Sequence, residues 1–170
     1  MARQHPFDVL SSGKTLWDRW RSEYPDVQAS EPDLHGVDLH EADLRGVDLH
    51  RADLTEANLQ GADLQGADLR EADLRNANLR SANLSHANLL NARLQWADLR
   101  DATLSYTSLK GADLSKADLR GAALDGAILS KAKFDEANLS QVDLSGVDLD
   151  GAILGKAKFE KTNVSNEGKL

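Results

Sequence analysis

Asp and Asn recur every fifth residue through most of this chain, a spacing that could serve acid–base or cation-binding chemistry. Of 27 such places from Asp33 to Asn163, 13 are Asp and several others are Asn. Carboxylates stacked at short intervals can hold a cation or act as an acid and base pair. These side chains also accept hydrogen bonds from neighbouring turns. We favour the second interpretation, because the residues belong to a regular repeat.

Three histidines, His35, His40 and His50, are close together in the sequence and could form a metal site only if the fold brought them together. Their positions depend on the five-residue repeat in which they lie. Every fifth residue from Leu34 to Val164 is large and apolar, and 24 of these 27 are Leu. Two places earlier, 20 of 27 residues are Ala, so that the repeat reads A-[DN]-L-x-x.

A period of five fits neither an amphipathic helix nor an alternating strand. At about 100° per residue, a helical apolar stripe would drift by roughly 140° in each repeat. A β-solenoid avoids this drift, since each unit forms one short side of a coil and the chain turns before the next unit. Gly ends the unit nine times, as expected of a corner.

Units such as Ala62–Gly66 and Ala77–Ser81 resemble those of the pentapeptide-repeat family. The resemblance implies an all-β fold, a right-handed quadrilateral β-helix with four units per coil and the Leu and Ala columns inside. The 27 units would then make about 6.75 coils. Residues 20 apart would lie above one another. We expect the core to include Leu74, Leu94, Leu99, Phe134 and Phe159.

This arrangement places the three histidines on different sides of the first coil, so we expect no metal site. No Ser-His-Asp arrangement is evident, and we predict no catalytic residue, no cofactor and no enzymatic activity. In the column containing Asp73, Arg93 and Asp113, a base between two acids indicates charge compensation. Arg80, Arg100 and Arg120 form another column, which we interpret as a solvated, paired ladder; a site for an anion or an acidic partner is the alternative.

The sequence divides into an N-terminal cap (1–31), the repeat (32–166) and a short tail (167–170). A solenoid needs capping because its ends expose core and unpaired backbone. We expect a short helix at about 14–24 to cover the first coil; a partner site there is the alternative. Its apolar stripe comprises Leu16, Trp17, Trp20 and Tyr24.

Outward-facing apolar residues interrupt the polar surface in the middle of the repeat. We expect His86, Leu90 and Tyr106 to form one candidate partner-binding patch. Trp96, beside Arg93, would form a separate contact on the diagonally opposite corner. Aromatic and Arg side chains often anchor interfaces, although isolated surface apolar residues are also common.

Composition narrows the range of partners. The net charge of -8 argues against direct nucleic-acid binding. The chain has no Cys, no transmembrane run and no export signal, so we expect no membrane association and a cytoplasmic location. The resemblance leaves open a homodimer through the C-terminal end, as in several family members.

Two functions remain open from the sequence. The first is a rigid rod that binds an unidentified protein partner. The second, implied by the resemblance, is a DNA mimic that binds DNA gyrase or another type II topoisomerase and protects it from inhibitors. Outside the Asp column the repeat holds nine acids and 12 bases, which favours the first.

Overall fold

The computed structural model describes residues 5–23 and 31–164 and contains two short helices followed by a four-sided β-helix. Helix α1 spans Pro6–Ser11 and helix α2 spans Lys14–Glu23. From Asp33 onward, the residue before each repeating apolar residue forms a parallel bridge with its equivalent 20 residues later wherever that equivalent is described, except between Ala123 and Asp143. Each coil therefore contains four units, and each side has a single bridging residue in place of an extended strand.

The interior consists almost entirely of the Leu and Ala columns. Leu74 and Phe134 are fully buried, and Leu94 and Leu99 are each 1% exposed. Phe159 differs from the expectation, since it is 36% exposed. It lies in the last coil, where no further described coil covers it, whereas Phe134 is enclosed by coils on both sides.

The last two residues of each unit form the centre of a β-turn. In every described unit except 152–156, the last residue of the unit lies in the left-handed region. The carbonyl of the central Leu accepts a hydrogen bond from the residue three places later, as in Ala82 N to Leu79 O at 3.0 Å. The second of the two residues between them has φ near +60°, which matches a type II turn. Gly favours this conformation, but large residues such as Trp96 (φ 65°) and Tyr106 (φ 58°) adopt it too.

Helix α2 covers the first coil and supplies donors that a preceding coil would otherwise provide. The Trp17 indole Nε1 donates to Asp48 O at 2.6 Å, and Arg21 Nη2 donates to His50 O at 2.9 Å. One coil later, the equivalent carbonyl of Asp68 accepts from the Leu49 amide at 2.8 Å. The helix therefore satisfies carbonyls that would otherwise lack an intramolecular donor.

The residues predicted to form the cap have different environments. Trp17 is fully buried, and Trp20 packs against the core with its ring centroid 5.1 Å from that of Trp17. Leu16 is 50% exposed because it lies on the outer face of α2, and Tyr24 lies outside the described residues. Helix α1 was not expected from the sequence; it adds buried Val9 and Leu10 to the core.

The backbone ladder is interrupted between the fifth and sixth coils. The amides of Leu104 and Leu144 donate to the next coil at 2.7 and 2.8 Å, but the amide of Leu124 makes no such bond to Asp143. The sixth coil carries Val142 and Val147 where most coils have Ala. Their turn hydrogen bonds lengthen to 3.3 Å, which is consistent with these larger side chains widening the coil. No helix in the described ranges is long and apolar enough to cross a membrane.

Candidate partner-binding surface

The Asp and Asn column fixes the turns by side-chain hydrogen bonds. The amide of the residue two places later donates to the carboxylate, as in Arg100 N to Asp98 Oδ1 at 3.1 Å and Ser145 N to Asp143 Oδ1 at 2.8 Å. Asn58 additionally donates to Asp38 in the preceding coil at 2.9 Å. These bonds confirm the turn-stabilising interpretation of the column.

Five of these carboxylates also pair with an Arg two residues later. In the Asp43–Arg45 pair, both carboxylate oxygens accept from the guanidinium at 2.8 and 2.6 Å. This hydrogen bonding lowers the pKa of Asp43 to about 2, and the Arg100 guanidinium likewise lowers the pKa of Asp98. The carboxylates are thus ionised near neutral pH. The other pairs are Asp68–Arg70, Asp73–Arg75 and Asp118–Arg120.

Arg93 forms an ion pair with the Asp73 carboxylate one coil below, with an Nη1–Oδ2 distance of 3.0 Å. Lys133 approaches Asp113 in the same column at 3.9 Å. This side of the rod therefore carries alternating, partly compensated charge. The charged column continues through the coil that contains Trp96.

The three histidines of the first coil contact different groups. His35 Nδ1 lies 2.8 Å from Thr55 Oγ1, and His40 Nδ1 lies 2.8 Å from Asp38 Oδ1. His50 Nε2 lies 4.0 Å from Glu71 Oε1. Within 5–23 and 31–164, no cluster of three or more His, Asp or Glu side chains is placed to hold a metal ion.

His86 and Tyr106 stack directly on one corner of the rod. Their ring centroids are 5.2 Å apart and their planes differ by 5°. Both residues lie in the left-handed turn position, and Tyr106 is 63% exposed. The turn therefore projects both rings outward in fixed register.

Trp96 occupies the diagonally opposite corner, two units further along the coil. It is 59% exposed, and the Lys116 ammonium lies 4.3 Å from its ring centroid in a cation–π contact. The structure therefore separates Trp96 from the His86–Tyr106 pair. Leu90 lies one turn beyond His86 and is half-buried.

Two adjacent sides that meet at the His86–Tyr106 corner lose the repeat's acidic residues in the middle of the rod. We call this surface the aromatic corner. Its bridging positions are uncharged, whereas the other two sides retain carboxylates and bases at the same level. Besides the two rings, the aromatic corner comprises Asn83, Thr103 and Ala123 on one side and Asn88, Ser108 and Ile128 on the other.

A family model for pentapeptide repeats matches eight copies within this chain, at 33–70, 57–95, 67–105, 92–130 and 127–166. The chain belongs to the pentapeptide-repeat family. Its four-sided coil is accordingly the right-handed quadrilateral β-helix that this family implies. The chain has no significant match among curated proteins.

Solved structures of pentapeptide-repeat proteins resemble this chain. HetL from Nostoc sp. strain PCC 7120, involved in heterocyst differentiation regulation, is 38% identical over 83% of this chain and 77% of its own, with a TM-score of 0.45. Rfr23 from Cyanothece 51142 is 23% identical over 86% of this chain and 99% of its own, with a TM-score of 0.47. QnrB1, a plasmid-mediated fluoroquinolone resistance protein, is 20% identical over 80% of each chain, with a TM-score of 0.43.

The sequence analysis did not include Ile128 in the candidate surface, although its place in the pentapeptide repeat marks it as unusual. Ile128 is 43% exposed and occupies a bridging position where the repeat most often has Asp. An apolar residue at this outward position adds to the surface beside Tyr106. Comparing each residue with others in its own column would have identified it.

Proposed function

We propose that this pentapeptide-repeat protein is a non-enzymatic, rigid scaffold that binds a protein partner through the aromatic corner. The proposal rests on one observation. Two neighbouring sides exchange the acids of the repeat for uncharged residues around a stacked, exposed aromatic pair, while the other sides keep charged ladders.

Such a surface is suited to association because uncharged groups are less costly to desolvate than ions. Interface centres are commonly depleted in charge and enriched in aromatic residues. Hydrogen-bonded turns and stacked coils hold the rings in place, which reduces the ordering cost of binding. The half-buried Leu90 lies at the border of this surface.

The arrangement of the carboxylates favours a protein partner over the DNA-mimic alternative. A mimic must present free rows of negative charge in place of phosphates. Here five carboxylates are bound by the Arg that follows them, as in Asp98–Arg100. We expect no protection of gyrase from its inhibitors in a supercoiling assay at micromolar protein, and protection would instead support the mimic.

The binding proposal can be tested by restoring the generic residue of the repeat at Ile128. Ile128→Asp recreates the most common residue of the column and should fold normally. Ile153→Asp is the matched control, because Ile153 is also exposed (53%) and occupies the same place in a unit on another side. Each chain is immobilised, exposed to an extract of the source cells and analysed by mass spectrometry.

We expect wild type and Ile153→Asp to retain a common partner that Ile128→Asp retains at least tenfold less. Leu90→Asp combined with Tyr106→Ala should also abolish capture without changing circular dichroism or the melting temperature. Equal capture by all these proteins would refute the aromatic corner as the binding surface.

A further inference from the structure

Side chains in the left-handed turn position lean toward the next coil and fill the space over glycines there. A Cβ atom built on Gly126 would lie 2.7 Å from the Tyr106 ring, and one on Gly121 would lie 2.8 Å from Asp101 Oδ1. A glycine at a turn therefore leaves open space only where the residue 20 places earlier, one coil below, has no side chain to fill it.

Gly66 leaves such an open space, one coil below His86 and two below Tyr106 in the same column. It is preceded in its column by Gly46, and no atom lies within 4 Å of a Cβ built on Gly66. The next residue in the column is His86. We call this open space the Gly66 notch.

The notch leaves one face of the His86 ring without a stacking partner in its column. The other face stacks on Tyr106 at 5.2 Å. Successive coils are about 4.8 Å apart, so a ring in the place that a side chain leaning from position 66 would take lies one coil spacing from the His86 ring. That distance is within the roughly 4.5–7 Å range of aromatic pairs. The notch is thus spaced for one more planar group.

The carboxylates beside the notch already have guanidinium neighbours. Asp63 lies 3.7 Å from Arg45, and Asp68 binds Arg70 at 2.6 Å. The flanking turn residues of the same corner, Gln65 and Ser85, are uncharged. A neutral ring therefore fits this site better than a cation, which would meet the Arg45 and Arg70 guanidiniums that already adjoin these carboxylates.

We infer that the Gly66 notch receives an aromatic side chain of the protein partner, which stacks on His86 and extends the pair to three rings. This inference rests on the proposed function and assigns the chemistry of the partner residue that it recognises.

Disulfide tethering can test the notch without knowledge of the partner, because the chain has no Cys. Gln65→Cys places a thiol beside Gly66, and Ser145→Cys places one beside Gly146. Gly146 is the matched control, since it lies in the same column with positive φ and has nothing within 4 Å of a built Cβ, but no aromatic residue adjoins it within the described range.

Each full-length variant is equilibrated with equal amounts of the symmetrical disulfides of 2-(indol-3-yl)ethanethiol, 2-cyclohexylethanethiol and 2-guanidinoethanethiol in the presence of 2-mercaptoethanol. The protein thiolate attacks one sulfur of a disulfide and releases the other half as a free thiol, so the mixed disulfides form by exchange without an added oxidant. The adducts are quantified by mass spectrometry. We expect the Gln65→Cys variant to prefer the indole over the cyclohexyl thiol roughly threefold to tenfold, as a stacking contact predicts. The Ser145→Cys variant should show no preference. Adding His86→Ala to the Gln65→Cys variant should remove the preference.

Equal preferences in the two variants, or a preference for guanidinium in the Gln65→Cys variant, would overturn the aromatic assignment. A further substitution, Gly66→Gln, should fill the notch, and Gln141 shows that Gln can occupy this turn position (φ 64°). It should reduce capture of any partner held by the aromatic corner at least tenfold, unlike Gly146→Gln. If Gly66→Gln captures normally while Ile128→Asp does not, the notch is excluded but the proposed function stands.

Discussion

At the scale of single residues, the sequence of each column decides which turn can tolerate a side chain. Gly126 and Gly146 belong to one column and share positive φ values of 65° and 72°. They differ in that the Tyr106 ring lies over Gly126, whereas the space at Gly146 is open. Comparing them separates steric conflict from backbone strain.

We predict that Gly126→Ala is more destabilising than Gly146→Ala by about 1–3 kcal/mol, the usual cost of overpacking. Both variants carry a similar left-handed strain, so the difference reports the clash with Tyr106. Chemical denaturation measures the free energy of unfolding. Adding Tyr106→Ser to Gly126→Ala should remove most of the difference, and equal stabilities would contradict this account of the corner.

His40 provides a pH-dependent prediction. Hydrogen bonding to Asp38, with its attraction, raises the pKa of His40 above its ordinary value of 6.5. The protonated histidine therefore stabilises the folded chain fully below pH 6.5, and this contribution is lost as pH rises through the raised pKa. NMR titration of the imidazole should show the elevated midpoint in wild type and a lower one in Asp38→Asn. An unchanged midpoint would exclude the pair as the cause.

At the scale of elements, helix α2 acts as a donor-bearing substitute for a missing coil. We predict that Trp17→Phe lowers the free energy of unfolding by about 1–3 kcal/mol, because the Asp48 carbonyl loses its indole donor at 2.6 Å. Trp20→Phe is the control, since Trp20 is only partly buried. Comparable losses in the two variants would indicate that packing, and not the hydrogen bond, governs the cap.

The columns, the buried Leu residues and the position of α2 follow from the sequence because each depends on periodicity or on a local apolar stripe. The His86–Tyr106 stack follows from the 20-residue register once four units per coil are assumed. The exposure of Phe159 does not follow from the sequence, because Phe159 and Phe134 occupy the same place in the five-residue unit. Only the absence of a further described coil beyond Phe159 distinguishes them. The Gly66 notch depends on the direction in which turn side chains lean, which periodicity does not specify.

At the scale of the whole molecule, the rod is a stack in which each coil is stabilised mainly by its neighbours. A coil with neighbours on both sides should therefore contribute more per residue than one at the C-terminal end. Leu94 and Leu154 allow this comparison because they occupy the same inward column. Leu94 is 1% exposed, whereas Leu154 is only partly buried.

We predict that Leu94→Ala costs about 2–5 kcal/mol of unfolding free energy, because it leaves an enclosed cavity. Leu154→Ala should cost less than half as much, since solvent already reaches that side chain and the end coil can adjust. Urea denaturation followed by circular dichroism measures both. The amides of the last coil should also exchange with solvent faster in Leu154→Ala while those of the central coils remain protected. Equal losses, with exchange increased along the entire rod, would show that the coils unfold as a single cooperative unit and that end position confers no tolerance.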